Sequence, residues 1–193
     1  MSATRILCFH GYHGSAAILR RQIAPVAASL PAEVELVFVD APSWSRGDFG
    51  WWHEGFRGWE DTRDWAIELV GRQQFDGLFG FSQGAALVGL LAAIRDGESA
   101  PISFDMAVMV SGFTSSMPEH EHLFPRKLRV PSLHVIGRTD GIVPMRESLL
   151  LAERFSRPAI VEHNGGHVIP DDPAITTRIA DFVRPGATVK SSE

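Results

Sequence analysis

Apolar residues follow two rhythms along this chain. Short runs at residues 5–9, 34–39, 75–81, 104–110, 132–136 and 159–161 have the length of strands and are bounded by glycine, proline or charge. Between them, apolar positions recur every three or four residues: Ile18, Leu19, Ile23, Val26, Ala27 and Leu30, then Trp65, Ala66, Leu69 and Val70 within 61–73. Two further helices are predicted, one opened by Pro144 and carrying Leu149, Leu150, Leu151 and Phe155, and one over 174–183. Ser15 is placed to cap the first helix, and Pro25 interrupts it. Strands alternating with helices predict a mostly parallel, six-stranded sheet with helices on both faces. Right-handed crossovers put the strand at 75–81 near its middle.

Two stretches lack a period. Residues 43–60 hold Trp44, Phe49, Trp51, Trp52, Phe56 and Trp59 among Gly, Ser and charge, and read as an ordered loop. Residues 113–130 mix Pro, His and charge and read as a surface excursion.

The chemistry concentrates at Gly80-Phe-Ser-Gln-Gly84. An aromatic strand enters Ser82, and a small-then-apolar run from Ala85 to Ile94 leaves it as a buried helix. A serine on so sharp a turn is strained, and side chains at positions 80 and 84 would collide, so glycine is required at both. A serine hydroxyl needs a base to take its proton and a carboxylate to orient that base. In a parallel sheet such partners lie beyond the carboxyl ends of strands. Asp140 follows the fifth strand and His167 the sixth, giving the order Ser82, Asp140, His167. Asp105 precedes its strand and lies at the wrong end. His163 is a rival base, but it sits nearer its strand and lacks the glycine pair that lets a loop reach inward. The backbone N–H groups of Gln83 and Tyr12 are the candidates for holding an oxyanion. Trp51 and Trp52 are the candidate substrate-binding residues. As neighbours in an extended segment they point to opposite sides, so one is expected at an acyl pocket and the other in the packing. The pairs His10-x-x-His13 and His120-x-His122 lack a third ligand nearby, so no metal site is expected.

Composition narrows the class. A length of 193 residues with 45% hydrophobic content suits a single domain, expected over 1–186 with a frayed tail at 187–193. The net charge of −5, without a Lys/Arg cluster, argues against nucleic acid as a partner. No apolar run reaches the roughly 18 residues of a membrane span. The start Met-Ser-Ala-Thr-Arg has no signal-peptide layout, and the lone Cys8 cannot form an internal disulfide. A soluble cytoplasmic protein is expected.

Ile6-Leu-Cys-Phe-His-Gly11, the Trp51-Trp52 pair before Gly58-Trp-Glu-Asp, Gly80-Phe-Ser-Gln-Gly-Ala85, Gly137-Arg-Thr-Asp140 and Gly165-Gly-His167 together resemble the family-serine-hydrolase (FSH) group of small α/β-hydrolases. The resemblance covers about residues 5–184. It departs at Tyr12-His13, where many relatives carry other residues. It implies an α/β-hydrolase fold and cofactor-free hydrolysis of a carboxylic ester or thioester through an acyl-serine. Two alternatives stand beside this reading: a thioesterase or acyltransferase that releases a carrier-bound acyl chain, and a non-catalytic ligand receptor on the same fold. The acyl and leaving groups and the oligomeric state are left open.

Overall fold

The computed structural model describes residues 3–45 and 48–184, so the end of the domain at residue 186 and the tail at 187–193 lie outside the described residues. The order is β1 (Thr4–Phe9), α1 (Ala16–Gln22), α2 (Ala24–Ser29), β2 (Val34–Val39), a short antiparallel ribbon of β3 (Ser43–Ser45) and β4 (Asp48–Phe49), then α3 (Trp59–Gln73). It continues with β5 (Gly77–Phe81), α4 (Gln83–Arg95), β6 (Met106–Val110), β7 (Ser132–Gly137), α5 (Met145–Ala152), β8 (Pro158–His163) and α6 (Pro173–Val183). Six strands form one sheet in the order β2-β1-β5-β6-β7-β8, with every neighbouring pair parallel.

The alternation of strand side chains divides the core between the two faces. Leu7, Phe9, Leu78, Ala107 and Met109 pack with α3, α4 and Leu151 of α5 on one face. Ile6, Cys8, Phe79, Phe81, Val108 and Val110 pack with α1, α2 and α6 on the other. Helix α4 is buried along almost its whole length, as its small and apolar composition predicts. Burial pushes the Cys8 thiol well above its usual range, which suits an inert core residue.

The chain departs from the sequence-based expectation in several segments. The first helix divides at Ile23, which closes α1 and opens α2; Pro25 falls in the first turn of α2, where a missing N–H costs nothing. Ser15 caps α1 by accepting from the Ile18 N–H at 3.1 Å. Residues 43–60 are more than a loop: they contain the β3–β4 ribbon, a single 3-10 turn at Glu54–Phe56 and the start of α3. Residues 113–130 are not merely a surface excursion. They hold a 3-10 segment (Pro118–Leu123) and bury His120, Leu128 and Val130. Phe155 lies beyond the end of α5 and bridges to Leu128.

The strand order reverses between β1 and β5. From β1 the chain runs outward to β2, whereas from β5 it runs the other way through β6, β7 and β8. Loops leaving the carboxyl ends of β1 and β5 therefore diverge and open a crevice between them. The turn at Ser82 stands at that crevice.

Candidate active site

Ser82 joins β5 to α4 with φ 55° and ψ −119°, a conformation costing about 1–3 kcal/mol for a residue with a Cβ. The glycines around it respond to crowding. A Cβ on Gly80 would lie 2.2 Å from the Gly84 carbonyl oxygen, and one on Gly84 would lie 2.3 Å from that of Phe9. The β1 loop also passes close by, though with more room: a Cβ on Gly11 would sit 3.3 Å from that of Ser82.

The loops after β7 and β8 bring Asp140 and His167 to this serine. They are tied to each other by the Arg138 N–H donating to the His163 carbonyl at 2.8 Å and by the Thr139 hydroxyl donating to the Asn164 carbonyl at 3.1 Å. The Asp140 side chain is only 1% exposed. One of its oxygens accepts from the N–H groups of Ile142 and Val143, both at 2.9 Å. The other lies 2.8 Å from His167 Nδ1, and His167 Nε2 lies 2.9 Å from Ser82 Oγ. An ionised carboxylate only accepts, so Nδ1 carries the proton and Nε2 is left to accept from the Ser82 hydroxyl. Burial alone would raise the Asp140 carboxyl. The His167 bond, the two N–H groups and the adjacent Ser111 hydroxyl outweigh it and hold the group below the usual carboxylate range. The His167 ring also rests against Phe81, centroids 4.9 Å apart.

The rival residues lie elsewhere. The Asp105 N–H donates to the Asp76 carbonyl at 2.8 Å, before β6 and so at the amino edge of the sheet. His163 turns its Nδ1 to the Gly165 N–H at 3.2 Å and helps shape the loop that carries His167. It is held below the ordinary histidine range chiefly by burial.

Tyr12 and Gln83 both line the cleft beside Ser82. Gln83 is the first residue of α4, where a backbone N–H has no carbonyl one turn back to bond. His10 sets the loop before Tyr12: its Nδ1–H donates to the Gly11 carbonyl at 2.7 Å and its Nε2 accepts from the Ala41 N–H at 3.0 Å. With both nitrogens engaged and burial lowering its pKa, His10 is a neutral strut and has no lone pair to offer a metal. Among the described residues, no three His, Cys, Asp or Glu side chains lie close enough to hold a metal ion.

The cleft above Ser82 encloses about 740 Å³, within the range of small-molecule sites. Trp52 forms part of its wall, stacked on Phe56 at 4.9 Å and 10°. His120 backs that wall, with its ring against Phe56 and Trp59 and its Nδ1 2.7 Å from the Ser115 hydroxyl oxygen. Trp51 needs a correction as a substrate-binding candidate. It is 0% exposed, lies against Phe9 and Trp65 and donates its ring N–H to the His10 carbonyl at 2.7 Å. Its neighbour occupies the cleft side, so Trp51 faces the core. Sequence reasoning missed Phe113, Met117 and Val143, which also line the cleft. The signal available was their place in loops after β6 and β7, the same edge as Ser82.

Among the described residues, no helix is long and apolar enough to cross a membrane. Compared with known proteins, the chain is 31% identical to the esterase OVCA2 of Danio rerio, over 93% of this chain and 96% of that protein. It is 29% identical to the dihydrofolate reductase of Schizosaccharomyces pombe over 93% of this chain but 46% of that one, and so spans about half of that relative. The crystal structure of Zea mays acyl-protein thioesterase 2 shares the fold, with a TM-score of 0.67 at 17% identity over 95% of both chains. The sheet described above is thus that of an α/β-hydrolase. The family described as serine hydrolase (FSH1) matches residues 1–179, which together with the esterase relative makes this chain a member of that family.

Proposed function

We propose that the chain hydrolyses a carboxylic ester or thioester with an apolar acyl group through an acyl-serine intermediate. The observation that carries this reading is the hydrogen-bonded chain from Asp140 through His167 to Ser82, ending beside an apolar cleft. Ser82 Oγ attacks the carbonyl carbon while His167 Nε2 takes the hydroxyl proton. Asp140 holds Nδ1–H and stabilises the imidazolium as it forms. The carbonyl oxygen becomes an oxyanion, held by the N–H groups of Tyr12 and Gln83. Collapse expels the alcohol or thiol, which leaves with the proton from His167. Water then attacks the acyl-serine by the same steps in reverse, releasing the acid and restoring Ser82. Trp52 and Phe56 contact the acyl chain. No step calls for a cofactor.

Labelling of the pure protein with a fluorophosphonate, which reacts only with an activated serine, tests the nucleophile. Labelling that disappears in Ser82→Ala is expected, whereas no labelling of the wild type would favour a ligand receptor on this fold. Ester and thioester series from acetyl to octanoyl then define the acyl group. Added alcohols or amines separate hydrolysis from acyl transfer, and acyl groups held on a carrier domain test carrier release.

A further inference from the structure

We infer that the cleft selects substrates by charge, admitting groups that are neutral or cationic around the scissile bond and turning away those with a negative charge there. This rests on the ester or thioester reading above. Among the described residues lining the cleft, the carboxylates are Glu54 and Glu147, and no lysine or arginine takes part. They come from separate walls. Glu54 belongs to the 3-10 turn that carries Phe56, and Glu147 to the first turn of α5, where the helix dipole favours a negative charge. Most of the remaining lining is apolar, including Trp52, Phe113, Met117 and Val143, and Ile142 (73% exposed) and Tyr12 (43% exposed) form an apolar rim.

An anion entering this cleft loses hydration against apolar walls, meets two like charges and finds no lysine or arginine to replace the lost water. A cation also loses hydration, but gains both carboxylates. The chain's net charge of −5 adds a long-range field of the same sign. The lysines and arginines nearby lie outside the lining of the cleft. Arg57 Nε donates to the backbone carbonyl of Glu54 at 3.3 Å. Arg126, Lys127 and Arg154 line a smaller neighbouring cleft of about 400 Å³ that shares Thr114 with this one, and there Arg154 pairs with Glu121 at 2.9 Å. A negative group on a long arm could reach that second cleft, so the test needs short probes.

Three butyryl thioesters serve: those of thiocholine (cationic), N-acetylcysteamine (neutral) and 3-mercaptopropionate (anionic). Thiol release is followed with the pure protein, its Glu54→Gln and Glu147→Gln variants, and the double variant. The readout is the ratio of kcat/KM for the cationic over the anionic ester. Dividing the variant's ratio by the wild type's cancels the thioesters' intrinsic reactivities and any general change in turnover. At low salt the double variant should lower the ratio about 10-fold, each single variant contributing about 3-fold. Raising the salt to about 0.5 M should shrink the wild-type ratio toward that of the double variant. A neutral thioester turned over with a ratio that neither the variants nor salt alter overturns the charge selection and leaves the hydrolase reading intact. If the pure protein cleaves none of the three, nor acetyl to octanoyl nitrophenyl esters, the hydrolase reading itself fails.

Discussion

The side-chain amide of Gln83 joins the turn at Ser82 to the cleft wall: its Oε1 accepts from the Trp51 N–H at 2.9 Å and its Nε2 donates to the Trp52 carbonyl at 2.7 Å. One residue thus offers its backbone N–H beside Ser82 and holds the Trp51–Trp52 segment with its side chain. Gln83→Ala keeps the backbone N–H and leaves two buried partners unsatisfied, a loss of about 2–4 kcal/mol of stability. Gln83→Glu keeps the acceptor but sets a carboxylate oxygen against the Trp52 carbonyl. Both variants should lower kcat/KM for octanoyl esters more than for acetyl esters. An unchanged octanoyl-to-acetyl ratio, with unfolding as in the wild type, would remove this role from Gln83.

Ser82→Ala should lower kcat by on the order of 10⁶, His167→Ala by a similar factor, and the double variant by little more than either. Ser82→Gly should be equally inactive yet more stable, by about 1 kcal/mol, because glycine adopts φ 55° without strain. Kinetics and melting temperatures of the three serine forms check this. An Ala variant that retains a few per cent of wild-type turnover would exclude Ser82 as the nucleophile.

Asp140→Asn should drop kcat by roughly 10⁴, since an amide can donate to Nδ1 and select the wrong imidazole tautomer. Asp105→Asn, at the far edge of the sheet, should leave kcat within about 2-fold. Reversal of these outcomes would mean that another carboxylate orients His167.

The two tryptophans should separate in their effects. Trp51→Ala removes a fully enclosed ring together with its bond to the His10 carbonyl, and should cost about 3–5 kcal/mol of stability without altering chain-length preference. Trp52→Ala also loses packing, but in addition should lower the octanoyl-to-acetyl ratio roughly 10- to 60-fold, the worth of two or three methylene contacts. Unfolding curves and ester kinetics on both variants decide the matter; equal chain-length profiles would make Trp52 purely structural.

Stability should fall in acid through histidines that the fold keeps neutral. His134 is enclosed in β7 against Phe155, and burial pushes it down to about 3. The unfolded chain binds a proton there below its ordinary value of about 6.5, while the folded chain does not. Stability from this group is therefore full above about pH 6.5 and declines by about 1.4 kcal/mol per pH unit toward pH 3. His10, His120 and His163, also held down chiefly by burial, act in the same direction. In His134→Gln the slope of unfolding free energy between pH 4 and 6 should lessen by about one proton. An identical slope would show that His134 is protonated in the fold or neutral in both states.

Much of the site is legible in the chain because its requirements are local. The glycines at 80 and 84 answer to collisions within a few residues of Ser82, and Asp140 and His167 stand out because each follows a strand that periodicity already reveals. His167 against His163 is decided within a single loop, by the Gly165-Gly166 pair between them. The segments at 43–60 and 113–130 are harder to read. Their order comes from rings such as Trp52, Phe56, Trp59 and His120 meeting across distant parts of the chain, and such contacts leave no period behind.

By itself the sequence determines the alternation of strands and helices, the parallel sheet and the positions of Ser82, Asp140 and His167 at its carboxyl edge. Strand pleat, helical period and steric crowding at a turn act between near neighbours, so residue types record them directly. Only the tertiary structure decides that Trp51 turns inward while Trp52 meets the cleft, that the Gln83 side chain holds both, and that Glu54 and Glu147 line the same cleft. Those outcomes depend on where crossover connections bring distant segments together. Trp51 and Gln83, 32 residues apart in sequence, become partners only once β1 and β5 lie side by side.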